Sequence, residues 1–299
     1  MQHLSSVDNI TIQEEASAPD ILVVSRTFFP KEGGIEEYVY NRCLQNPQKT
    51  ILLTATFEGY QDFDKNQEFR VHRWYLPKIP RLFGFGAIIK QVLNMFWSFV
   101  FAIKLYFRYR YRYIEWGHGY DFPAILLLSY LLPVKFFIYL LGNDILCPLR
   151  NPVLKKLFEL TLQRSYGLVC NSSFTRDFIK LKFNFNTPTY IINPIVRADK
   201  FSDNAKNQQY LENSRLNIRK KYNISENAIV ILSVGRLVKR KGFGTVIDNL
   251  NQLLNHDLDV HYIICGRGQI QSELEQKASQ LKLTERVHFA GFVPDADLA

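Results

Sequence analysis

Two cations mark the stretch best suited to chemistry. Arg236 and Lys241 lie in Ile231-Leu-Ser-Val-Gly-Arg-Leu-Val-Lys-Arg-Lys-Gly242. The apolar run before them reads as a β-strand, and the pattern after Gly242 as a helix. In an open parallel α/β sheet such a position lies above the carboxyl ends of the strands, where ligands bind. Arginine offers a planar fork of donors and lysine a mobile point charge, a pair suited to a diphosphate. A solvated basic loop would use the same residues, but the strand before and the glycine after weigh against it. A second turn, Phe29-Pro-Lys-Glu-Gly33-Gly34, stands between a strand and a helix that opens with Ile35 and Glu36. Its glycines let backbone approach a phosphate or sugar, and the helix start behind them favours negative charge. Its plainer reading is a tight turn.

These residues need elements to carry them. Ile21–Ser25, Lys49–Thr54, Arg70–Leu76, Tyr111–Trp116, Val134–Leu141, Gly167–Cys170 and Thr189–Pro194 read as strands. Helical patterns alternate with them at Ile35–Leu44, Ile88–Phe107, on to Leu132, Val153–Ser165 and Phe174–Leu181. A polar, Asn- and Lys-rich stretch follows Arg197. The alternation then resumes with strands Ala228–Val234, Val260–Cys265 and Val287–Phe289 and helices Gly244–Leu254 and Ile270–Leu281. Strands alternating with helices predict βαβ units and a parallel sheet, here two doubly wound, Rossmann-like domains in tandem. Residues 1–19 lack the basic start and apolar run of a secretory signal and read as a frayed arm.

The 299 residues suffice for about two domains with cores that need no staple. Four scattered cysteines, Cys43, Cys147, Cys170 and Cys265, form no CxxC pair, so a zinc ribbon and a disulfide framework are both disfavoured. No Asp-x-Asp or His cluster predicts a metal site. The net charge of +9 calls for an anionic partner. Between Lys78 and Tyr113 there are seven basic residues, eleven aromatics and no acidic residue. On a helical wheel Lys90, Gln91, Asn94, Ser98, Lys104 and Arg108 share ~140° of one face, and Trp97 is read as part of the helix's apolar contribution. With Arg110 and Arg112 beside it, this helix is expected to meet an anionic membrane surface rather than cross the bilayer. No RNA-binding motif accompanies the basic aromatics, so nucleic acid is not expected.

In their order the motifs resemble those of the retaining, nucleotide-sugar-dependent glycosyltransferases of the GT-B fold, family 4. Gly235-Arg236-Leu237 with Lys241-Gly242 matches that family's strand–GRL–x3–KG–helix. Ile263-Ile-Cys-Gly266-Arg-Gly268 matches its strand–GxG–helix, and Arg286–Pro294 its strand near the nucleotide base. The resemblance covers roughly residues 20–299. It implies donor contacts from Gly33, Gly34, Arg236, Lys241, Gly266, Gly268 and Phe292, and acceptor or sugar contacts from Glu36, Asn143 and Asp144. His118 would stand for the loop histidine that meets the donor sugar. Asn171-Ser-Ser-Phe-Thr-Arg-Asp177 is similar to a further family segment, more simply read as a helix cap on Ser172 or Ser173. Two departures stand out. Leu141-Gly-Asn-Asp144 lacks the histidine common at that point, and the family's Glu-x7-Glu segment would come after Ala299, so the second domain is expected to be incomplete.

The resemblance implies an acceptor-side domain over 20–196 and a nucleotide-sugar-binding domain over 197–299. It also implies an enzyme with no cofactor, moving sugar from a nucleotide-diphosphate donor to a polysaccharide or lipid-linked acceptor, in the cytoplasm or peripheral on the inner face of the membrane. Leaving-group charge would be met by Arg236, Lys241 and helix N-termini without a metal. A non-catalytic sugar-nucleotide-binding or membrane scaffold on the same fold is the alternative. A dinucleotide oxidoreductase is disfavoured, because no GxGxxG follows the first strand.

Overall fold

The computed structural model describes residues 19–31, 33–76, 85–195, 208–256 and 258–298. Residues 1–18 of the expected arm, 77–84 of the basic aromatic stretch and the 196–207 junction lie outside them. The chain divides into two compact units, the first ending at Ile195 and the second beginning at Val196.

The first unit alternates β1 (Ile21–Ser25), α1 (Gly34–Leu44), β2 (Thr50–Ala55), α2 (Tyr60–Lys65), β3 (Arg70–Trp74), α3 (Phe85–Tyr109) and β4 (Tyr113–Trp116). It continues with α4 (Phe122–Leu131), β5 (Lys135–Leu140), α5 (Pro152–Arg164), β6 (Gly167–Cys170), α6 (Ser173–Lys182) and β7 (Thr189–Ile191). All seven strands are parallel, in the order β3-β2-β1-β4-β5-β6-β7. Alternate side chains feed two cores, since successive residues of a strand point to opposite faces. Leu22, Val24, Ile51 and Leu53 join the residues under α3, α4 and α5, while Val23 and Leu52 pack with Val39 and Cys43 of α1. Chain order reverses between β1 and β4, so the loops after those strands flank the crevice of the sheet.

The fold departs from the expected elements in two places. The helix α2, not foreseen from the sequence, is held by Phe63, whose ring packs on Phe28 and Phe29. The larger departure is α3, whose expected polar face is split. Asn94 and Ser98 are buried rather than facing outward. The cause lies on β3, where the buried Trp74 needs an acceptor: its indole Nε1 donates to Asn94 Oδ1 at 3.1 Å. Asn94 Nδ2 in turn donates to the Lys90 carbonyl at 3.0 Å, and Ser98 Oγ to the Met95 carbonyl at 2.9 Å. A buried polar group must be satisfied, and this chain satisfies all three. The outward side of α3 consequently shows Ile88, Ile89, Val92, Phe96 and Phe107. Trp97, expected at the surface, is half-buried against the core.

The second unit holds α7 (Gln208–Lys221), β8 (Ile229–Val234), α8 (Phe243–Leu254), β9 (Val260–Cys265), α9 (Gln271–Gln280), β10 (Val287–Gly291) and α10 (Asp295–Leu298). Its parallel sheet runs β10-β9-β8, and its core joins Phe243, Ile247 and Leu250 of α8 to Tyr262 and Ile264 of β9 and Leu274 of α9.

Candidate functional sites in each unit

In the second unit the predicted cations stand at the carboxyl edge of the sheet. After β8 the chain keeps pairing: Gly235 N donates to the Cys265 carbonyl at 2.9 Å, and Leu237 N to the Arg267 carbonyl at 3.0 Å. Gly235-Arg-Leu237 therefore runs directly against Gly266-Arg-Gly268. A Cβ on Gly266 would overlap the carbonyl of Gly235, and one on Gly268 the carbonyl of Leu237. This close approach accounts for both glycines without a ligand. Lys239–Lys241 makes one 3-10 turn, and Gly242, at φ +76°, starts α8 without a side-chain cap. The Lys241 side chain folds back over Gly235, its Cε 4.0 Å from where a Cβ would stand there. Neither the Arg236 guanidinium nor the Lys241 ammonium has a hydrogen bond or ion pair among the described residues, whereas Lys239 pairs with Glu273 at 3.5 Å. Two unpaired cations thus stand beside uncapped helix N–H groups, an arrangement that favours phosphate oxygens. Phe292 is exposed, with the Arg267 guanidinium 6.0 Å from its ring centroid.

In the first unit, the loops after β1, β4 and β5 bring together residues far apart in the chain. Arg26 follows β1, and its Nε donates to Asp121 Oδ1 at 2.9 Å and Oδ2 at 3.0 Å. The backbone N–H of Arg26 donates to His118 Nε2 at 3.2 Å. That nitrogen must then be the unprotonated one, so the proton of the neutral ring is on Nδ1, which is buried and has no protein partner. Burial drives the His118 pKa down to about 4, with the nearby Asp121 carboxylate opposing the shift. His118 is a neutral donor at ordinary pH, and the Arg26–Asp121 pair that frames it had no motif to announce it.

Two other expected contacts are turned inward. The Asp144 carboxylate is buried and accepts from Gly119 N at 2.7 Å and Leu141 N at 3.1 Å, which ties the β4 loop to the β5 loop. Burial pushes its pKa up against those hydrogen bonds. Glu36 is buried under the glycine turn and pairs with Lys31 at 3.2 Å; a Cβ on Gly33 would run into its carboxylate. Both acids shape loops rather than face an open crevice. Gly34 has open space around it, and Asn143 stays exposed beside Gly142, at φ +116°. The Asn171–Asp177 segment is a helix start, with Ser172 Oγ accepting from Thr175 N at 3.2 Å. Among the described residues no cluster of three or more His, Cys, Asp and Glu could hold a metal ion.

The fold is that of the GT-B glycosyltransferases. It matches Anabaena HepE, solved with UDP, at a TM-score of 0.65 and 17% identity over 93% of this chain and 70% of that one. WaaG, a glycosyltransferase involved in lipopolysaccharide biosynthesis, matches at 0.59 and 16% over 93% of this chain and 71% of its own. Residues 214–299 match the family model of the glycosyl transferases group 1. A stretch of 87 residues, 29% of this chain, is 34% identical to the O-antigen biosynthesis glycosyltransferase WclY of Escherichia coli. That match spans 24% of the length of WclY.

Proposed function

We propose that this chain is a retaining glycosyltransferase that moves a sugar from a nucleotide-diphosphate donor to a polysaccharide or lipid-linked acceptor. The observation that supports this is the unpaired Arg236 and Lys241 beside the uncapped start of α8. Loss of a diphosphate concentrates negative charge on the leaving group, and preorganised cations and N–H groups stabilise that charge as it forms. Arg236 would grip phosphate oxygens through its fork, with Lys241 as the second charge. The acceptor would enter on the face the diphosphate leaves, through an oxocarbenium-like transition state. In the first unit, His118 Nδ1–H would donate to a sugar oxygen.

Titration calorimetry with UDP on the 299-residue chain tests the donor half of this reading. Arg236→Ala and Lys241→Ala should each weaken binding by ~1.5–3 kcal/mol, the scale of a charge-assisted hydrogen bond. A double variant that binds UDP as the parent does would remove the assignment.

A second reading concerns where the enzyme works, and the outward face of α3 favours it. This helix is long and apolar enough to cross a membrane, yet only 22% of its apolar window is buried. Its Asn94, Ser98, Ala102 and Leu105 are committed to the core, which suits a helix lying along a surface rather than through one. Ile89, Phe96 and Phe107 would face lipid, with Leu127, Tyr130 and Leu131 of the neighbouring α4. Lys90, Lys104, Arg108, Arg110 and Arg112 would reach the headgroups, and no acidic residue lies between Phe69 and Ile114 to oppose them. Binding to vesicles containing anionic lipid should exceed binding to neutral ones and fall with salt. Phe96→Asp, which alters an exposed side chain, should abolish it. Equal sedimentation with neutral and anionic vesicles would refute the charge component, and intact binding by the variant the apolar one.

A further inference from the structure

The second unit carries a cluster of titratable groups at the opposite edge of its sheet from Arg236 and Lys241. Asp259 and Arg286 immediately precede β9 and β10, and they border a cavity of about 430 Å³ together with Tyr222, His261 and His288. Arg286 Nη1 lies 2.9 Å from His261 Nε2, and His261 Nδ1 lies 2.9 Å from His288 Nε2. The two imidazoles are 8° from parallel with centroids 5.3 Å apart. Taken with the short N···N distance, this describes rings joined edge to edge by an N–H···N bond rather than stacked face on face.

The arginine sets the direction of the chain. A guanidinium can only donate, so His261 Nε2 accepts and the His261 proton is on Nδ1. That N–H donates to His288 Nε2, leaving the His288 proton on its own Nδ1. The two rings can hold two protons in this arrangement, one between them and one on His288 Nδ1. A third must enter His261 Nε2 against Arg286 or crowd the bond between the rings. The surroundings include an alternative partner: Asp259 Oδ1 is 3.6 Å from His261 Nε2, while the same carboxylate pairs with Arg286 and accepts from Ser225 Oγ at 2.7 Å. From the end of α7, Tyr222 lays its ring on His288 at 5.0 Å, with Lys221 over that tyrosine. Arg219 donates to the Ser225 and Ala228 carbonyls and adds positive potential at His261, and Glu285 lines the cavity.

We propose that Arg286, His261 and His288 form a proton-operated latch that ties β9, β10 and the end of α7 together. Uptake of one proton exchanges Arg286 for Asp259 at His261 Nε2 and frees the guanidinium. Burial, followed by the Arg286 charge, holds the His261 pKa below the ordinary histidine value, and burial does the same for His288, with His261 adding to it. The neutral, latched state thus contributes stability that is complete above the unfolded-state pKa of about 6.5 and lost as pH falls below it.

Ring-nitrogen NMR of the 299-residue chain, together with hydrogen exchange at the amides of Tyr262 and Val287, tests the latch. At about pH 7.5 both rings should be neutral and protonated on Nδ1, well above the ordinary histidine range. Lowering the pH to about 5.5 should open those amides roughly tenfold or more, after correction for intrinsic exchange. In the double variant His261→Gln and His288→Asn, amides replace the ring donors and acceptors without titrating, and the acid opening should vanish. Acid opening retained in the folded double variant would overturn the latch. If that variant does not fold, the wild-type rings decide: Nε2–H or a doubly protonated ring on either histidine at about pH 7.5 overturns it, and two Nδ1–H tautomers support it.

Discussion

The main-chain N–H of Arg26 points at Nε2 of His118 from 3.2 Å, across 92 residues of sequence, while the same arginine's side chain clasps Asp121. One residue thereby sets both the tautomer of the histidine and the carboxylate beside it. The Nδ1–H left over is a buried donor without a protein partner, as is the indole N–H of Trp116 at the end of β4. A buried donor is rarely left without a partner.

The His118 shift predicts acid lability in the first unit. Its folded pKa of about 4 lies below the unfolded value of 6.5. The neutral ring therefore contributes stability that is complete above about 6.5 and lost as pH falls toward 4, worth ~3 kcal/mol for a fully buried group. Urea unfolding at about pH 7 and pH 4.5 should show His118→Gln losing much of that difference. An unchanged difference would mean that the ring is not held neutral by the fold.

The glycines of the two loops should behave differently. Gly266→Ala and Gly268→Ala push a methyl group into a backbone carbonyl that cannot swing away, so each should cost ~3 kcal/mol or more of second-unit stability. Gly34→Ala meets nothing within 4 Å at a helix start and should be neutral or slightly stabilising. Thermal melts distinguish these outcomes, and a harmless Gly266→Ala would contradict the packing of Gly235 on Gly266.

Asp144→Ala should lower stability by ~1–3 kcal/mol, because the N–H groups of Gly119 and Leu141 lose their acceptor. Asp144→Asn keeps one carbonyl oxygen and should lose less. A residue contacting substrate would instead change acceptor KM at unaltered stability, so denaturation and kinetics together discriminate between the two roles.

Much of the architecture was legible in the chain itself. Short β-branched runs such as Ile21–Ser25 and Val260–Cys265 can be little but buried parallel strands, and the GRL and KG residues mark where a strand delivers cations to a sheet edge. Local pattern carries that information because period and turn chemistry act within a few residues. What each polar side chain touches is set by neighbours distant in sequence. A helical wheel placed Asn94 with Lys90 and Lys104, but the indole of Trp74, twenty residues earlier, drew it into the core and turned an apolar stripe outward. Asp144, in a loop, and Glu36, in the first turn of α1, stand where the sequence resembles a substrate site, yet the N–H groups of Gly119 and Leu141 and the ammonium of Lys31 occupy their carboxylates. The partnerships of Arg26 with Asp121 and of His261 with His288 leave no mark on either segment alone. They arise when parallel strands set loop beside loop, where each buried polar atom must find a partner in three dimensions.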